Sequence, residues 1–169
     1  GYDLALDTAG RAIVTGWTWS SDFPTTPGAF DPSLNGDVDA FVVRLNASGN
    51  ALDYATFLGG SSSDYSYAVA LTTAGRATVM GWTTSSDFPT TPGAFDSTYN
   101  GGADAFVVRL NAAGSAIDYA TFLGGSGDDY GGITLALDAT GRAIVTSGTR
   151  SVDFPTTPGA FDRTFGGGT

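Results

Sequence analysis

Ten residues, DFPTTPGAFD, occupy positions 22–31 and return unchanged at 87–96 and 153–162. The steps between copies are 65 and 66 residues. Other markers keep the same step: GRA at 10–12, 75–77 and 141–143, DAFVVRLN at 39–46 and 104–111, and DYATFLGG at 53–60 and 118–125. The one extra residue falls in GGSGDDYGG, beside the shorter GGSSSDYS. Loops absorb such insertions at little cost. Self-similarity at a fixed period is the mark of stacked or radial repeats, in which each unit buries a face that it cannot cover alone.

Within a unit four strand signals follow one another: YAVALTT (67–73), RATVMGWT (76–83), AFVVRLN (105–111) and AIDYATFL (116–123). Each is short and rich in β-branched or aromatic residues, and Gly- or Asn-bearing turns connect them, the pattern of a meander of hairpins. The proline segment lies between the second and third signals. FVVRL and AIVTGW are apolar on both faces for part of their length, as strands must be when a sheet lies between two others. A four-stranded antiparallel sheet of about 65 residues, repeated and buried on both faces, describes a β-propeller blade. A β-solenoid-like open stack is the alternative; its rungs repeat at a shorter period. A two-sheet sandwich ranks third, because it would not require near-identical copies.

Composition agrees with strands and narrows the chemistry. Every acid is Asp (17) and every base Arg (7), and the chain has no Lys, Glu, Gln, His or Cys. Helix-favouring side chains are therefore scarce, while Gly (25) and aromatics (12%) are plentiful. Without His or Cys there is no ordinary neutral-pH acid–base group, thiol nucleophile, disulfide or Cys-bound zinc. A net charge of −10 opposes nucleic-acid binding and docking on anionic membranes. No apolar run is long enough for a membrane-spanning helix. An Asp-, Thr- and Gly-rich composition without Lys points to an extracellular or cell-surface setting.

The ordered set GRAIVTGWT, DFPTTPGAFD, DAFVVRLN and DYATFLGG resembles the bacterial SBBP-type β-propeller repeat, over essentially the whole chain. The resemblance implies extracellular or cell-surface propellers, often within large secreted proteins. It implies no catalytic activity and carries no residue roles. Two departures stand out. Arg44 and Arg109 occupy a position where the family often has Lys, and the third unit reads Ser147-Gly148-Thr149 where the others read Gly-Trp-Thr.

The units fall at approximately 1–65, 66–131 and 132–169, the last incomplete, and 169/65 gives about 2.6 units. A propeller needs roughly four to eight blades. The chain is therefore expected to be a piece of a longer propeller, to assemble with copies of itself into a ring or filament, or to form a three-unit open stack.

Several residues are candidates for a site. Asp37, Asp39, Asp64, Asp104, Asp128 and Asp129 place carboxylates among glycines in loops, a composition permissive for calcium. No calcium-loop motif with a distal Glu is present, and Asp also serves simply to cap turns. Trp17 and Trp82 share one strand position and are expected to pack between blades. Trp19 has no counterpart, is expected to be exposed, and is the candidate for stacking on a sugar. Carboxylate pairs could hydrolyse glycosides, but near-identical units oppose the division of roles that catalysis needs, so no enzyme is expected. In the proline segment, Thr26-Pro27 suits a helix start, which predicts one helical turn over TPGAF between two Phe pegs, Phe23 and Phe30. The expectation is a non-enzymatic protein with a structural, self-assembling or adhesive role, whose foremost partner is itself. A carbohydrate-binding module and a calcium-stabilised surface domain are the alternatives.

Overall fold

The computed structural model describes residues 1–167, and for residues 131–133 the backbone alone. The described residues form ten strands and no helix. Strands β1 (Asp3–Leu6), β2 (Ala12–Thr18), β3 (Asp39–Leu45) and β4 (Leu52–Leu58) make the first sheet, in chain order. Strands β5 (Asp64–Leu71), β6 (Ala77–Thr83), β7 (Asp104–Leu110) and β8 (Ile117–Leu123) repeat it. Strands β9 (Asp129–Leu137) and β10 (Ala143–Thr149) form a third, two-stranded sheet. Every strand pair is antiparallel, and β2–β3 and β6–β7 share one register, with Trp17 opposite Ala40 and Trp82 opposite Ala105. No helix among the described residues is long and apolar enough to cross a membrane.

The hairpins close where the sequence provides for it. Between β1 and β2 the Gly10 amide donates to the Asp7 carbonyl, and Gly10 takes φ 76°, which a side chain would resist. Asp7 then accepts the Ala9 and Arg11 amides on its carboxylate, fixing the turn.

The sheets stack face to face, and the middle sheet is covered on both sides. Val79, Phe106 and Val108 join Ile13 and Val42 of the first sheet in one cluster. Met80, Ala105 and Val107 meet Leu135 and Val145 of the third in another. Each fully buried large side chain contributes about 1.5–3 kcal/mol, so the two seams supply most of the stabilisation. Within the middle sheet Gly81 permits a close approach of β6 to β5: a Cβ there would lie 1.9 Å from the Tyr65 carbonyl oxygen and 2.7 Å from the Phe106 ring.

The same residue has different surroundings at the ends of the stack. Ile13 is fully buried by the second sheet, whereas Ile144, its counterpart in the third unit, is 58% exposed. Val69 is 5% exposed, and Leu4, its counterpart in the first unit, is 60% exposed. Both outer faces thus present apolar positions that an adjoining sheet covers in the middle of the stack.

The proline segment corrects one expectation. TPGAF makes no helical turn. The Ala29 amide donates to the Thr26 carbonyl and Gly28 has φ 79°, the geometry of a type II β-turn with Pro at its second and Gly at its third position. A glycine free to adopt positive φ outweighs the helix-start preference of Thr-Pro. The segment then runs along the outer edge of β4. Thr26 accepts the Ala55 amide on its hydroxyl and donates its own amide to the Ala55 carbonyl, and the Phe57 amide donates to Asp31. Thr91 and Asp96 repeat these bonds with Ala120 and Phe122 of β8. The loop therefore satisfies backbone groups that an edge strand would otherwise leave open.

Of the two Phe pegs, the first holds and the second depends on position. Phe88 is 3% exposed and stacks on Phe106 at 4.4 Å, and Phe23 lies against Phe41 at 4.5 Å. Phe30 is partly covered, with its amide bonded to the Gly114 carbonyl of the next unit's hairpin. Phe95 is 71% exposed and Phe161 fully so.

Candidate functional site

The acidic residues sort into three groups. Asp39 and Asp64, each fully buried, meet in the seam between the first and second sheets, and Asp104 and Asp129 meet identically in the next seam. A Cβ on Gly59 would lie 2.7 Å from Asp39 Oδ1 and 2.8 Å from Asp64 Oδ2. One on Gly124 would lie 2.8 Å from Asp104 Oδ1 and from Asp129 Oδ2. Glycine is required where the chain passes over each pair. Asp37 stands apart on an exposed loop. Asp128 pairs with Arg150 at 3.5 Å and accepts the Tyr130 hydroxyl. Among the described residues no three acidic side chains converge as they would around a metal ion.

These buried carboxylates have local structural partners. Asp39 accepts the Asn35 and Gly36 amides, closing the long β2–β3 loop. Asp64 Oδ2 accepts the Gly60 amide at 2.8 Å and the Ser85 hydroxyl at 2.9 Å, tying the inter-sheet link to the end of β6. Asp129 does the same with Gly125 and Ser151. One oxygen each of Asp64, Asp104 and Asp129 remains buried without a partner. Burial pushes the Asp64 carboxyl up to about 6, against the hydrogen bonds it accepts and with the help of the Asp39 charge. Burial also raises Asp39 and Asp104.

Above each buried pair is a solvent-open cavity between successive proline loops. The first holds about 420 Å³ and is lined by Phe30 and Asp31 from the end of one loop, by Asp87 and Pro89 from the start of the next, and by Asn35 and Ser61. The second holds about 380 Å³ and is lined by Phe95, Asp96, Asn100, Ser126, Asp153 and Pro155, the same residue types at the same repeat positions. Asp87 Oδ1 accepts both the amide and the hydroxyl of Ser61, and Asp153 accepts both from Ser126. Those backbone amides hold Asp87 and Asp153 below the usual carboxylate range. Asp31 and Asp96 receive the side-chain amides of Asn35 and Asn100. The signal for this site was the decapeptide itself, whose first and last letters are the paired aspartates.

The tryptophans form a ladder rather than separate platforms. Trp17 lies 5.3 Å from Tyr65, Tyr65 stacks on Trp82 at 4.2 Å, and Trp82 meets Tyr130 edge-on at 5.6 Å. The rings thus cross from sheet to sheet. Trp19 leans on Trp17 at 5.2 Å and is 67% exposed. Neither of the two cavities includes a tryptophan.

Neither models of known protein families nor curated proteins match this chain.

Proposed function

We propose that the chain is a run of β-propeller blades of the SBBP type, without enzymatic activity, that serves a structural, self-assembling or adhesive role outside the cell or at its surface. The supporting observation is the contrast between equivalent residues: Ile13 buried against Ile144 exposed, and Val69 buried against Leu4 exposed. Each outer face has the residues of an inner face without its cover, and exposed sheet faces of this kind recruit another sheet. Among the described residues one edge of β10 pairs with no strand, where β7 pairs with β6 in the second unit.

The partner on this reading is further blade sequence, either in a second copy or in the same polypeptide. Light scattering on the native material tests it. A mass that grows with concentration, or a longer chain that closes its own ring, supports it. A chain of this length that stays monomeric at high concentration, with both end faces uncovered, refutes it. Substituting Leu4→Asp and Ile144→Asp should dissolve the association while leaving the middle sheet intact.

A further inference from the structure

We propose that the two cavities between successive proline loops are equivalent binding sites for neutral saccharide units, two per chain. The inference does not rest on self-association, because both cavities lie within the stack rather than at its ends. It starts from the repetition of a cavity and not merely of a loop. Six lining residues in one site, four of them from the proline loops, one from the inter-sheet link and one from the remainder of the long β2–β3 connection, reappear as the same six types in the other.

The lining selects the ligand. Neither cavity has an arginine in its wall, and each contains two aspartates, so anions such as phosphates and uronates are excluded. Asp87 Oδ1 is fixed by two donors from Ser61, which orients the carboxylate and leaves Oδ2 without a protein donor. Asp153 is held identically by Ser126. Such an ionised, pre-oriented acceptor suits the vicinal hydroxyls of a sugar ring, which donate well to carboxylates. Phe30 with Pro89, and Phe95 with Pro155, supply apolar surface for the C–H face of the same ring. Phe95 is 71% exposed and offers more of its face, whereas Phe30 is half-buried and offers the part that lines the cavity. Volumes near 400 Å³ accommodate one or two saccharide units and far exceed a bare ion.

Immobilised neutral oligosaccharides of gluco, galacto, manno and fuco configuration provide the first screen, followed by titration calorimetry with the best-retained glycan. The expected result is binding of a neutral glycan at two equivalents per chain. Asn35→Ala should reduce this to one equivalent, and Asn35→Ala with Asn100→Ala should weaken binding at least tenfold. Both asparagines are exposed, so an unchanged melting curve will show that the variants fold. As a second route, Asp87→Asn with Asp153→Asn keeps the bonds to Ser61 and Ser126 but replaces an acceptor by a donor, and should also weaken binding tenfold. Retention of no neutral glycan overturns the proposal. So does a stoichiometry that Asn35→Ala leaves at two. Binding of calcium chloride or cadaverine in place of neutral glycans assigns the cavities to cations and overturns it equally.

Discussion

Replacing Asp64 by Asn should make the protein more stable at neutral pH and remove a pH dependence that the natural chain carries. Asp64 is fully buried, and its carboxyl is raised from 3.8 to about 6. The folded state therefore binds this proton more tightly than the unfolded chain does. Its contribution to stability is fully present below about pH 4 and is lost as the pH rises through 6. At about 1.4 kcal/mol for each tenfold change in proton affinity, the loss is about 3 kcal/mol. An Asn can accept the Gly60 amide and the Ser85 hydroxyl with its oxygen, and it never ionises. Its amide hydrogens occupy the place of the oxygen that has no partner, at a cost of about 1–2 kcal/mol if they stay unpaired. The net gain at pH 7.5 is then about 1–2 kcal/mol, or about 2–8 °C in Tm for a chain of this size. At pH 4 the gain should vanish and become a small loss. Urea denaturation of both proteins at several pH values measures the difference directly. Exposed carboxylates that titrate in both proteins cancel in it. A difference between variant and natural protein that stays constant from pH 4 to 7.5 would refute the assignment of an ionisation cost to Asp64.

Three further outcomes follow from the packing. Phe88→Ala should cost about 3–5 kcal/mol, since it empties a site 3% exposed beneath Phe106, whereas Phe95→Ala, at a position 71% exposed, should stay within about 0.5 kcal/mol in dilute solution; denaturant midpoints compare the two. Gly81→Ala should cost about 3 kcal/mol or more, because its Cβ would meet the Tyr65 carbonyl oxygen at 1.9 Å and force β5 from β6, and a loss of less than 1 kcal/mol in the same measurement would contradict the close approach. EDTA should leave the melting curve unchanged, because Asp39 and Asp64 are held by amides and hydroxyls of the chain itself; a lowered Tm would support the calcium reading.

The strands were legible because their cause is local. Alternating or continuous apolar runs bounded by Gly-bearing turns mark β6 to β8 to within one residue, while β5 begins three residues before and ends two residues before its signal; near-identical copies place β1 to β4 and β9 to β10 by translation. The proline loop was only half legible. Its rigidity follows from Pro24 and Pro27, but its role as a cover for β4 rests on bonds to Ala55 and Phe57, some 25–30 positions downstream, which no local pattern encodes. The turn at Gly28 was misjudged because Thr-Pro begins helices as readily as it begins type II turns, and the following glycine decides between them. The aspartates were the least legible. Asp37 and Asp39 stand two residues apart, yet one is exposed and the other fully buried. Period-two alternation would put both on one face; Asp37 instead lies in the loop before β3, while Asp39 opens the strand, accepts the Asn35 and Gly36 amides and is covered by a neighbouring sheet that lies outside any sequence window. For the same reason Phe30 and Phe95 share one decapeptide and differ in exposure. What covers Phe30, the hairpin at Gly114, belongs to the following unit.

The loop that lies along β4 and β8 also sets the direction in which material can be added. A bare outermost strand would let two stacks join side by side, and the resulting mat could widen without limit. With Thr26 and Asp31 bonded along one strand, and Thr91 and Asp96 along the other, pairing at these two edges is blocked. The loop thus removes one of the routes by which a sequence rich in strands could spread into a plane, and it does so at the same edge of both complete sheets.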